Sequence, residues 1–407
     1  MSTNSLWRNR DFLKLWSANT ISLFGSLITR AALPFLAVLV LRATPGELAA
    51  LRIADLLPAF VIGLIAGVWV DRLRRRPLMI AADLGRALAL GAIPVLAVAG
   101  HLTLAALYVV AAIASVLTVC FDVAEQSYIP TVVGQAQLTD ANSRMAATQS
   151  VAEISAFGIA GWLVQLLTAP FAIAVDAVTF VISALFVGSV RSSEGWSAEH
   201  EAPRALWREM LDGVRLLNTN RSLRAIGLSV CAMEISFGLS GTVYALYALR
   251  ELAIKPGPLG LIYAVGGVSA LGGSLLTPWL NRRVGTGRMM AIGLAVGGVG
   301  VALLPLAKAA GSLSWLFLVA QQLIGDGGLV VFGINEITVR QSLSPGDMLG
   351  RVNAGIRVAG LGAMLVGSVL GGLVGQAFGL RPTLVLSAVG LALAAFVVGR
   401  SPLVQTT

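Results

Sequence analysis

Ionisable side chains set inside long apolar runs are the residues of this chain with chemistry to offer. Arg30, Asp55, Glu153, Glu234 and Asp326 all interrupt stretches built mainly of Ala, Leu, Val, Gly and Ile. On insertion scales a charge at the centre of a bilayer costs about 2.5–3.5 kcal/mol, so each of these groups needs a partner or a task. A carboxyl can carry a proton, and a guanidinium can hold a carboxylate or another anion. Glu153, Glu234 and Asp326 fall nearest the middle of their runs and are candidates for a proton-carrying acid. The competing reading makes each a hydrogen-bonded acid that ties helices together. Arg30 and Asp55 fall at comparable depth on successive runs and are expected to pair across them, unless Asp55 pairs instead with Arg52 one turn away. Asp122 and Glu125 stand near the end of their run, where a salt bridge to Arg144 or to the basic loop at 71–76 is expected. Asp176 stands near the opposite end of its own run.

The elements that must position these groups follow from composition. Of the 407 residues, 57% are hydrophobic and 12% charged, whereas a soluble domain carries about 25% charged residues to solvate its surface. Most of this surface must therefore face lipid. The apolar residues come in blocks long enough to cross a bilayer, which takes about 20 residues per helix. Punctuation by Gly, Pro and charge gives crossings near 15–41, 48–70, 78–99, 102–128, 145–167 and 171–190, then 223–249, 259–280, 289–306, 313–339, 357–378 and 384–398. The expected fold is all-α and polytopic, with twelve transmembrane helices in two pseudo-symmetric six-helix halves, 1–190 and 223–407, joined by a polar loop at 191–222. Within that loop, 206–218 has the apolar spacing of a surface helix. The halves read as parallel repeats: Gly161 to Val164 corresponds to Gly371 to Val374, and Asp71-Arg72 to Asn281-Arg282.

Basic residues concentrate before the first crossing (Arg8, Arg10, Lys14), after the second (Arg72, Arg74, Arg75, Arg76), in the central loop and after the eighth (Arg282, Arg283, Arg288). By the positive-inside rule those loops and both termini are expected in the cytoplasm. The same distribution accounts for the net charge of +9 without nucleic acid. Cys120 and Cys231 lie in apolar runs and read as buried thiols. His101 and His200 lack metal-ligand spacing, and none of Lys14, Lys255 and Lys308 sits in a phosphate-binding loop. No enzyme, metal or cofactor is expected. Gly297, Gly298 and Gly300 read as packing, as does the stripe Gly367, Gly371, Gly375. Trp162, Trp279 and Trp315 read as interfacial anchors, while Phe24, Phe35, Phe157, Phe237 and Tyr244 either pack or line a cavity.

After the second crossing the chain reads Gly67-Val-Trp-Val-Asp71-Arg72-Leu-Arg74-Arg75-Arg76. This resembles the signature of the major facilitator superfamily: a Gly, three residues, Asp-Arg and then a basic cluster. Gly67, with Gly63 one turn earlier, would allow close helix approach. The resemblance implies that Gly67, Asp71, Arg72, Arg75 and Arg76 form a gating motif, with Asp71 meeting the start of the eleventh helix. Within the superfamily, Leu6 to Phe12, Ala32-Leu-Pro34, Leu57-Pro58 and Gly350-Arg351-Val352 are similar to the branch of enterobactin exporters and macrolide-efflux proteins. Two features depart from that branch. Gly25-Ser26 stands where it often has an acid, and Ala156-Phe157 stands where its antiporters have Gly-Pro.

The expected function is secondary export of a small amphipathic molecule of drug, macrolide or siderophore type, by proton antiport with rocker-switch alternating access. The expected setting is a monomer in a bacterial cytoplasmic membrane. Nutrient or metabolite uptake by the same fold is the main rival, and a transport-inactive scaffold or lipid-flipping protein is another.

Overall fold

A computed structural model describes residues 6–70, 73–192, 220–344 and 348–405, with only the backbone described for 64–70 and 405. Asp71, Arg72, most of the central loop and its expected surface helix lie outside the described residues. Among the described residues there is no strand. The first half contains α1 (Arg10–Leu39), α2 (Pro45–Val70), α3 (Arg75–Val98), α4 (Leu104–Val133), α5 (Leu138–Leu167) and α6 (Ala169–Ser189). The second contains α7 (Arg221–Leu246), α8 (Pro256–Val284), α9 (Thr286–Leu303), α10 (Ser314–Gln321), α11 (Gly327–Leu343), α12 (Leu349–Phe378) and α13 (Leu380–Gly399).

Ten helical segments among the described residues are long and apolar enough to cross a bilayer. One of them, Thr286–Leu343, is 58 residues long, nearly three times the ~20 residues that a ~30 Å hydrocarbon layer needs at ~1.5 Å per residue. It breaks at Leu304–Leu313, where Gly311 has φ 56 and ψ −120, and so makes two crossings. With α2, 26 residues long, the architecture agrees with twelve crossings. The tenth runs through α10, a π-helical turn at Gln322–Asp326 and α11. Leu88, Val98, Leu166, Leu275 and Phe378 point outward from the helices and are exposed, as a lipid-facing surface requires. Trp162, Trp279 and Trp315 are exposed as well.

Helix ends show local causes. Asn9 caps α1 by accepting hydrogen bonds from the backbone N–H groups of Asp11 and Phe12, both at 3.1 Å. Thr44 and Glu47 form a reciprocal capping box ahead of α2. The C-terminal carbonyls of α6 receive two cations: Arg76 donates to Val187 and Gly188, and Lys14 donates to Ser189 at 2.6 Å. Positive charge at a helix C-terminus offsets the partial negative charge there.

Contacts divide the chain into two compact units: Met1–Leu41 with Ala54–Arg204, and Arg42–Ile53 with Ala205–Thr407. In the first, α6 packs on α1 and α3, α3 on α4, and α1 on α5. In the second, α13 packs on α7 and α9, α9 on the tenth crossing, and α7 on α12. The order of helix pairs is the same, as parallel repeats require. The glycine stripe of α12 packs against α7: a Cβ on Gly367 would collide with the Ile235 backbone, and one on Gly371 would lie 2.9 Å from the Leu239 carbonyl oxygen. Gly63 behaves differently. A Cβ there would meet nothing within 4 Å among the described residues, so none of them makes the expected close approach at that position.

Candidate coupling and substrate sites

The N-terminal unit buries a polar network whose centre is Arg86 of α3. Three positions earlier on the same helix, Asp83 takes an ion pair from it at 2.5 Å, with the two side chains 0% and 3% exposed. The guanidinium carbon lies 4.1 Å from the Phe180 ring centroid and 4.5 Å from that of Phe121, so α6 and α4 each supply an aromatic face. Arg86 also reaches Thr118 of α4 at 3.4 Å.

Two more carboxylates stand around this centre. Glu125, 7% exposed, lies on the buried α4 face that also carries Phe121, Ala124 and Tyr128. Both of its oxygens accept from the Asn19 amide of α1, at 2.7 and 2.8 Å. Asp176 of α6, 1% exposed, accepts from Thr29 at 2.5 Å and from Thr179 at 3.1 Å. Gly25 makes room for it, since a Cβ there would collide with the Asp176 carboxylate. Gly25, whose neighbour Ser26 stands where the branch often has its helix-one acid, therefore faces an acid presented from α6. Asp122 is exposed, with Arg86 and Arg30 as its electrostatic neighbours. Arg86 is the cation shared by Asp83, Asp122, Glu125 and Asp176.

Several expected pairings are not formed. Arg30 makes no ion pair among the described residues; Asp122, rather than Asp55, is its electrostatic neighbour. Asp55 ties α2 to α4 through its backbone carbonyl, which accepts from Ser115. The salt bridge from Asp122 or Glu125 to Arg144 is replaced by other contacts. Arg144 lies 4.4 Å over the Trp7 ring, and Glu125 faces α1 because its side of α4 is the buried one. Glu153 is exposed and accepts from Gln149 of its own helix at 2.6 Å, and among the described residues no second helix holds it. Phe35 is fully packed, and Phe24 and Phe157 belong to small apolar clusters. Asp83 and Arg86 are not among the sequence candidates. A charged pair three apart in an apolar run is the signal that would have found them.

The C-terminal unit places its ionisable groups differently. Glu234 of α7 has Arg52 as its electrostatic neighbour, and a Cβ on Gly241, two turns on along the same helix face, would lie 2.6 Å from the Arg52 guanidinium. Asp326 ends the π-helical turn and approaches α8 at Gly266, where a Cβ would collide with its carboxylate. Short π-helical segments recur at functional sites because they re-aim the side chains that follow. At the end of α8, Asn281 donates to Asn335 of α11 at 2.6 Å, and Glu336 pairs with Arg340 at 3.2 Å. Asn281 corresponds in the repeat to Asp71, and here it joins two helices of one unit. Of the gating motif, Gly67 lies on α2, Arg75 opens α3, and Arg76 caps α6.

A family model described as transmembrane secretion effector matches residues 1–407. Macrolide efflux protein A of Streptococcus pyogenes is 29% identical over 218 residues, a match spanning 53% of each chain, so about half the length of that relative. The multidrug efflux pump Tap of Mycolicibacterium fortuitum is 28% identical over 372 residues, 88% of each chain. Among solved structures, a bacterial homologue of the iron transporter ferroportin superposes with a TM-score of 0.78 at 23% identity, covering 98% of this chain and 99% of the other. The nucleoside transporter NupG gives 0.69 at 16% identity, over 96% and 98%. These two likenesses are of fold. Whole-length agreement with the family model, together with the repeated helix pairing, makes the assignment: the chain is a multi-pass membrane protein of the transmembrane secretion effector family, within the major facilitator superfamily.

Proposed function

We propose that this transporter exports small amphipathic molecules in exchange for protons, by rocker-switch alternating access, from a bacterial cytoplasmic membrane with both termini inside. Export is supported by the family description and by relatives named as efflux proteins. Proton coupling rests on a single observation: Asp83, Asp122, Glu125 and Asp176 share Arg86 in the N-terminal unit. Carboxylates gathered around one guanidinium compete for its charge, so that the proton load of one affects the others, which is what a proton exchanger requires. Glu125 is the acid we assign to the exchange. It is buried, and among the described residues its only hydrogen-bond donor is the neutral Asn19 amide. A proton can therefore arrive or leave without a salt bridge having to break. Asp71 and Arg72 keep the gating role their motif implies.

The test is expression in a bacterial host stripped of its own efflux pumps, screened for tolerance to many toxic amphipathic compounds. Export predicts raised tolerance and lower intracellular accumulation of at least one compound. Both effects should vanish with a protonophore, with Asp71→Asn and with Glu125→Gln. Raised sensitivity together with faster entry of a compound would support uptake instead. Unchanged tolerance across the screen would support a transport-inactive scaffold.

A further inference from the structure

Asp326, Tyr244 and Tyr263 converge within the C-terminal unit in a way that proton exchange in the other unit does not use. The rings of Tyr244 and Tyr263 lie 5.4 Å apart, tilted by 36°. Tyr263 and Gly266 stand one turn apart on α8, and Asp326 sits against Gly266, which brings the carboxylate to the same stretch of that helix. Tyr244 is 9% exposed, and its hydroxyl has no hydrogen-bond partner among the described residues, although Asp326 is an electrostatic neighbour. Asp326 is half-buried and, among the described residues, has neither a hydrogen-bond donor nor an ion pair. Arg52 neighbours Glu234 and Tyr263.

The Asp326 carboxylate and the Tyr244 hydroxyl, both unsatisfied among the described residues, together with two π-faces form a surface that attracts a positive charge carried on an apolar body. The carboxylate supplies Coulomb attraction, and the ring quadrupoles add to it where water is excluded. A neutral ligand would leave the carboxylate uncompensated, and an anion would meet it directly. We infer that Tyr244, Tyr263 and Asp326 bind the cationic group of the exported compound, so that its substrates are lipophilic cations such as protonated or quaternary amines. Gly266 keeps the carboxylate close to the rings, and the π-helical turn aims it there. The inference rests on the export reading for the identity of its ligand as substrate, but binding is measurable without transport.

The experiment is equilibrium binding of radiolabelled tetraphenylphosphonium to the purified full chain in detergent, beside neutral triphenylphosphine oxide as a control of similar bulk. Asp326→Asn should weaken tetraphenylphosphonium binding by about tenfold and leave the neutral ligand unchanged. Tyr263→Phe keeps the π-face and should stay within about twofold of the parent, whereas Tyr263→Leu should lose several-fold. Absence of tetraphenylphosphonium binding by the parent chain, or equal binding by Asp326→Asn, overturns the inference. If Asp326→Asn is not recovered as monodisperse protein, the Tyr263 pair decides, and equal affinities of Phe and Leu variants overturn it. Asp326-dependent binding in a chain that moves no protons would leave this site standing and remove the antiport reading. Proton-coupled export of neutral compounds alone would do the reverse.

Discussion

The third and ninth crossings occupy corresponding places in the two units, yet they are held by different physics. In the N-terminal unit α3 carries Asp83 and Arg86, and Arg86 is clasped between Phe121 and Phe180. In the C-terminal unit α9 carries no charged residue after Arg288 and meets the tenth crossing through glycines; a Cβ on Gly300 would come within 2.7 Å of the Gly325 Cα. Backbone-to-backbone contact is therefore enough to hold this helix pair together in a membrane. A charged network at the matching place costs more to bury than it returns in packing, which points to a task beyond holding helices. Asp326, the acid with no ion pair or hydrogen-bond donor among the described residues, is in the unit that relies on glycine.

Removing the centre of the network should have the largest effect. Arg86→Met leaves buried carboxylates without their shared cation and should cost about 3–5 kcal/mol, read as a lowered midpoint of thermal unfolding in detergent. Replacing Asp83 and Arg86 together by apolar residues should restore most of that stability without restoring transport. Restored transport would show that the network is only packing. Gly300→Leu tests the other half of the comparison. Overpacking there should cost about 1–3 kcal/mol by the same assay, and a neutral outcome would mean that α9 is not held by close approach. Asn19→Ala should cost about 1–3 kcal/mol, because Glu125 loses its donor in a buried site. The smallest effect belongs to Arg76→Ala. It removes a cation from the C-terminus of α6 and should cost about 0.3–1 kcal/mol; a much larger loss of transport than of stability would return Arg76 to the gate.

The crossings are legible in the sequence because hydrocarbon forces an apolar run on every helix that spans it. Helix ends are less so. The apolar run of the fifth crossing starts near 145, but α5 starts at Leu138; that of the eleventh starts near 357, but α12 starts at Leu349. Backbone hydrogen bonding continues into the headgroup layer, where polar side chains are no penalty. The presence of intramembrane acids is legible for the same reason as the crossings. Their partners are not, since Asn19 and Glu125, or Thr29 and Asp176, meet only after α1 packs against α4 and α6. Depth along a helix placed Arg30 level with Asp55, but depth alone does not say which face a side chain is on. The π-helical turn before Asp326 has no sequence mark at all.

The central claim is that buried acids of the N-terminal unit exchange protons for substrate. Inside-out membrane vesicles energised to an acid lumen, loaded with a lumenal pH dye, test it most directly. Adding an exported compound should raise lumenal pH as protons leave in exchange, and vesicles carrying Glu125→Gln should take up no compound against its gradient and show no pH change. Accumulation of the compound with lumenal pH unmoved, or an unaltered response in Glu125→Gln, would contradict the account.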